Sequence, residues 1–135
     1  MLTTFIKEID GTWFGIAYTH KKIAATALET TREGAERNLI RSLPSHAAYK
    51  MDTAGSDFAK NFILMLRDLN NGIEENKVFA LATEYFSEPT ANVLKAAAMV
   101  PIGFVSTYGN LANVASTSPR AVGRIMAKNP IYPIV

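Results

Sequence analysis

The chain has 135 residues, 48% of them hydrophobic, a net charge of +2 and no cysteine. That length and apolar content suffice for one or two small globular units with a core, and the missing thiols exclude a disulfide, a thiolate metal site and a cysteine nucleophile among these residues. The longest nearly apolar run, Ala96 to Val100, is bounded by Lys95 and Pro101 and is far too short to cross a bilayer, while Lys7, Glu8 and Asp10 break the order of a secretory signal, so a cytoplasmic protein is expected.

Thr12 to Tyr18 and Ile23 to Glu29 alternate and are joined by the polar Thr19-His20-Lys21-Lys22, which predicts a β-hairpin at an edge of a small sheet. Glu33 to Leu43 carries Ala35, Leu39, Ile40 and Leu43 at helical spacing and meets Pro44, a helix with its stop. Asp57 to Leu69 sets Phe58, Phe62, Met65, Leu66 and Leu69 on one stripe, a core-facing helix that ends at Asn70-Asn71-Gly72. Lys77 to Phe86 is β-prone or ambiguous, and Ser87-Glu88-Pro89 opens a helix from about Pro89 to Val100. The expected class is α+β, with an N-terminal α+β unit over 1–80 and a mainly helical unit over 81–135.

Charge is divided unevenly between these units. Residues 1–88 hold all twelve acids and ten of the fourteen Lys and Arg, whereas 89–135 hold Lys95, Arg120, Arg124 and Lys128 and no acid. A segment of one sign favours a polyanionic partner, nucleic acid being the commonest. Thr107 can cap a helix beginning near Tyr108 and running to about Ala115. Ser116-Thr117-Ser118 is a polar turn, and Ser118-Pro119 starts a second helix that ends at Asn129-Pro130. Two short helices across a tight turn make a helix-turn-helix candidate.

At about 100° per residue, Arg120, Arg124 and Lys128 fall in one sector of the second helix, with Gly123 and Ala127 beside them and Val122, Ile125 and Met126 opposite. A cationic face with small residues lets backbone approach a phosphate-lined groove. An ordinary solvated basic face is the competing reading. His20 and His46 read as surface histidines, and no metal-ligating constellation is visible.

The run from Val100 to Gly109, then Leu111-Ala112, then Ser118 to Gly123, then Lys128-Asn129-Pro130, resembles the C-terminal domain of the O6-alkylguanine-DNA alkyltransferases. The match covers about 89–135, and residues 1–80 resemble the family's small ribonuclease H-like N-terminal domain only in layout. The resemblance implies a DNA repair protein that binds duplex DNA through the minor groove, flips alkylated guanine and moves the alkyl group onto its own cysteine without any cofactor. It implies DNA contacts from Tyr108, Arg120, Ala121, Gly123, Arg124, Ala127 and Lys128. Arg120 becomes the finger that replaces the flipped base, Tyr108 and Met126 line the pocket, and Asn129 braces the turn that follows. From the residues alone, the preferred readings are that Tyr108 caps a core and Asn129 merely ends a helix.

The family's Pro-Cys-His-Arg motif would begin where Pro130 to Val135 leads, so the cysteine is expected just after Val135 and the domain over 81–135 is incomplete. Three readings stay open: a portion of a longer alkyltransferase, a second polypeptide that supplies the remainder, and a non-catalytic lesion binder like the alkyltransferase-like proteins. A plain helix-turn-helix DNA-binding module is the alternative of another class.

Overall fold

Three antiparallel strands come first, β1 (Leu2–Ile9), β2 (Thr12–Thr19) and β3 (Lys22–Glu29). The computed structural model describes residues 1–73, 79–99 and 106–131. Both connections are two-residue turns with positive φ at each position: Asp10 and Gly11 at 51° and 83°, His20 and Lys21 at 47° and 59°. This is the backbone hand that matches the twist of a tight hairpin. The Asp10-Gly11 dipeptide was the available signal for β1, which the periodicity reading passes over.

The hairpin expected at the sheet edge lies in its interior. The strand order is β4-β1-β2-β3-β5, with β4 (Tyr49–Met51) parallel to β1 and β5 (Ala80–Leu81) parallel to β3. Alternation suggests one solvated face, but here the second face consists of Gly15, Ala17, Ala25 and Ala27, small enough for a helix to lie close against it. A Cβ built on Gly15 would stand 3.4 Å from Ile6 Cγ1 and 3.5 Å from Leu39 Cδ2.

The helix that covers this face is α1 (Arg32–Ser42), whose Thr31 cap hydroxyl accepts from the Gly34 N–H at 3.0 Å. Capping of this kind is worth about 1 kcal/mol. The opposite face is covered by α2 (Asp57–Asn70), where Phe62, Ile63 and Leu66 are buried and Phe58, Met65 and Leu69 pack beside them. The expected stripe is therefore core, and each such apolar side chain fully buried contributes about 1.5–3 kcal/mol. Tyr18, Phe58, Phe62 and Phe79 continue it as a chain of rings, with centroids 5.3, 5.8 and 6.4 Å apart.

After β5 and a short 3-10 turn (Thr83–Tyr85) comes α3 (Glu88–Ala98), capped by Ser87 with Pro89 in its first turn. Residues 77 and 78 of the ambiguous segment and the Val100 end of the expected helix lie outside the described residues. The next two helices are α4 (Tyr108–Ala115) and α5 (Pro119–Lys128). These three helices share a small, alanine-rich core of Val93, Ala96, Ala97, Leu111, Ala112, Ala115 and Val122. Leu94 turns instead into the larger core of the sheet, and Ile125 touches both cores. The chain is thus α+β, a five-stranded mixed sheet with helices on both faces and a helical part at its C-terminal end. Among the described residues no helix is long and apolar enough to cross a membrane.

Candidate nucleic-acid interface

The two helices of the motif begin and end where their capping residues dictate. Thr107 accepts the Asn110 N–H at 3.0 Å to start α4, and Ser118 accepts the Ala121 N–H at 3.2 Å to start α5, with Pro119 at its first position. Between them Ser116 takes the left-handed conformation at φ 56°, and the Thr117 N–H returns to the Ala112 carbonyl at 2.9 Å. That six-to-one bond closes the helix by the Schellman arrangement usually given to glycine. Three residues therefore join α4 to α5, and the turn is set by backbone hydrogen bonds.

On α5, Val122 is fully buried while Arg120, Arg124, Ala127 and Lys128 are exposed. The three cations stand on one side because they recur every four residues along a helix whose other side is anchored in the core. Among the described residues of 89–131 no carboxylate shares this surface. Tyr108, at the first position of α4, is 51% exposed and lays its ring over α5. A Cβ at Gly123 would stand 3.4 Å from Tyr108 Cε2 and 3.7 Å from Cδ2. The Gly123 surface read from the sequence as bare is thus partly occupied by a tyrosine ring.

Residues 88–135 match the family model described as "6-O-methylguanine DNA methyltransferase, DNA binding domain". A methylated-DNA–protein-cysteine methyltransferase of Thermococcus kodakarensis is 30% identical over 134 residues, covering 91% of this chain and 71% of that protein. This chain belongs to the methylated-DNA–protein-cysteine methyltransferase family. A second relative of that name, from Thermococcus barophilus, is 64% identical over 33 residues, which are 24% of this chain and only 18% of the relative's length. The crystal structure of the O6-methylguanine-DNA methyltransferase of Pyrococcus kodakaraensis matches with a TM-score of 0.65 at 25% identity, covering 99% of this chain and 81% of that one. The Mycobacterium tuberculosis protein in complex with DNA shares the fold, with a TM-score of 0.64 at 18% identity and coverage of 98% and 73%.

Within this methyltransferase fold the residues singled out from the sequence do not all reach the same surface. Ala121 is only 9% exposed. It sits one position before the buried Val122 and turns inward with it. Met126 is half-buried against the three-helix core. Cavities of about 560 Å³, between β5 and the end of α3, and about 250 Å³, beside β3, are lined by neither Tyr108 nor Met126. Val100 to Val105 of the matching run, and Tyr132 to Val135 of the apolar lead-in, lie outside the described residues. His20 and His46 are exposed, as expected.

Two features of this surface escaped the sequence reading. Asn129 ends α5, its N–H donating to the Ile125 carbonyl at 3.1 Å, and the next carbonyl, that of Pro130, accepts the Thr26 N–H of β3 at 2.7 Å. Ile131 then enters the sheet core with no exposed surface. Lys128, at the same end of α5, lines the 250 Å³ cleft with Glu29, Asn38 and Arg41, and Glu29 there accepts a hydrogen bond from the Asn38 amide. The acid-free surface therefore ends at Lys128, where the first unit supplies a carboxylate. No motif at residues 26 or 29 could have shown this, because the contact is made across about a hundred residues of chain.

Proposed function

We propose that this chain carries the DNA-engaging part of an O6-alkylguanine-DNA alkyltransferase. In this reading α5 enters the minor groove of duplex DNA, and Arg124 and Lys128 meet the phosphates. Arg120 fills the gap left by a flipped alkylguanine, and Tyr108 and Met126 border the base, with Asn129 bracing the turn beyond. The alkyl carbon is attacked by a cysteine that is not among these 135 residues; a continuing chain or a second polypeptide would supply it. Repair takes place in the cytoplasm and uses no cofactor, and the division of the chain near residue 80 separates a scaffold from the DNA-binding unit.

The observation that carries the reading is the exposure of Arg120, Arg124 and Lys128 on one side of a helix whose opposite side is buried at Val122. A guanidinium at the finger position is chemically apt, since a planar cation can both stack and donate directional hydrogen bonds. The test is the salt dependence of duplex binding, measured by fluorescence anisotropy. Replacing Arg124 and Lys128 together with Ala should lower the slope of log K against log salt by about one to two, at roughly 0.9 per neutralised phosphate. An unchanged slope would remove α5 from the interface.

A further inference from the structure

We infer that Gly123 is a positioning residue that seats the Tyr108 ring on α5. Glycine is a poor choice for the middle of a helix, because it gives up the most backbone freedom on folding. At Gly123 the missing side chain leaves a space that, among the described residues, the Tyr108 ring occupies, with Cε2 and Cδ2 at 3.4 and 3.7 Å from where a Cβ would be. Gly109, on α4, shows the contrast: among the described residues a Cβ there would meet only Thr107 Oγ1, at 3.8 Å.

The distances also set how large the seat is. A methyl group at Gly123 would just touch the ring, whereas a branched or longer side chain would need the space the ring fills. Tyr108 is half exposed and, among the described residues, belongs to no core cluster, so its placement depends on what it rests against. Resting on Gly123, it lies beside Arg120, three residues before the glycine and its neighbour on the helix surface. The cationic face of α5 thus has an aromatic ring at its edge. This inference builds on the proposed DNA-binding reading, but the seat itself is a property of the protein alone.

Two variants and two readouts test it. Gly123→Ala keeps the seat, and Gly123→Leu, a good helix former, fills it. The first readout needs no DNA: the chain is labelled with 3-fluorotyrosine, and the Tyr108 ¹⁹F resonance is assigned from its loss in Tyr108→Phe. Gly123→Ala should shift that resonance slightly, and Gly123→Leu should move it to the position of a solvated tyrosine. An unmoved resonance in Gly123→Leu overturns the seat, whatever DNA does.

The second readout is the ratio of affinities for a duplex containing O6-methylguanine and the same duplex with guanine. Gly123→Leu should lower this ratio roughly 10- to 100-fold, at about 1.4 kcal/mol per tenfold, and Gly123→Ala should leave it nearly intact. In a Tyr108→Ala background, Gly123→Leu should have no further effect on the ratio. If Gly123→Leu costs as much without the ring as with it, the glycine serves close approach of DNA to the helix and the inference is wrong. Should the unaltered chain show no preference for the damaged duplex, the lesion-binding reading fails while the fluorine measurement still decides the seat.

Discussion

The backbone N–H of Thr26, in the middle of β3, donates to the carbonyl of Pro130 at 2.7 Å, and the following Ile131 is fully buried among Phe14, Ile16 and Ile23 of the sheet. The chain that leaves α5 is thereby clamped to the outer edge of β3, the edge that also pairs with β5 at Lys22 and Ile23. A residue of the helical part is thus a component of the sheet's core. The path of the chain just beyond α5 is fixed against the N-terminal unit.

Ile131→Ala should therefore destabilise the whole protein, by about 2–5 kcal/mol as for other large-to-small changes in a core. Trp13, the single tryptophan, lies on β2 and reports on the sheet. Its fluorescence transition in urea and the helical circular dichroism transition should both move to lower denaturant, and by the same amount. Movement of the circular dichroism alone would mean that the two parts unfold independently.

At the turn of the motif, Ser116 holds a left-handed conformation that a non-glycine residue adopts at a cost of about 1–2 kcal/mol. Ser116→Gly should raise stability by roughly 0.5–1 kcal/mol, the strain relief being partly offset by the greater freedom of glycine in the unfolded chain. Ser118→Ala, which removes the acceptor for the Ala121 N–H, should lower it by about 1 kcal/mol. Urea titration of both variants checks the pair, and equal midpoints would show that this turn is not what limits stability.

Arg120 separates a base-flipping protein from a module that only grips phosphates. Arg120→Lys keeps the charge but loses the flat guanidinium that can stack and donate in two directions. In the protein carrying the cysteine-containing segment, extrusion of 2-aminopurine at the target should fall, while affinity for undamaged duplex stays nearly the same. In the proposed role, the arginine offsets part of the few kcal/mol of stacking and pairing that a flipped base costs. Equal extrusion by the arginine and lysine forms would favour the plain helix-turn-helix reading.

A polypeptide of these 135 residues has no thiol to accept an alkyl group. Incubated with duplex DNA carrying labelled O6-methylguanine, it should remain unlabelled, as read by intact mass and by retention of radioactivity in the DNA. Stoichiometric label on this polypeptide would show that another side chain serves as acceptor.

The sequence by itself determined the local pieces of this protein. Ser87, Thr107 and Ser118, read from the sequence as helix starts, each cap the helix that follows, as do Thr31 and Ser56, because a hydroxyl can satisfy an orphan amide using only neighbouring residues. The cationic face of α5 was legible for the same reason, since helical spacing alone brings Arg120, Arg124 and Lys128 together. What depended on contacts between distant residues was decided only by the tertiary structure. The alanine-lined face that places the hairpin inside the sheet, the inward turn of Ala121, and the tyrosine ring over Gly123 all follow from which surface another element covers. So does the bond from Thr26 to Pro130, where an edge amide of β3 finds its acceptor 104 residues along the chain. Capping and periodicity are written within a few residues, whereas the filling of space between elements is fixed by how the whole chain packs.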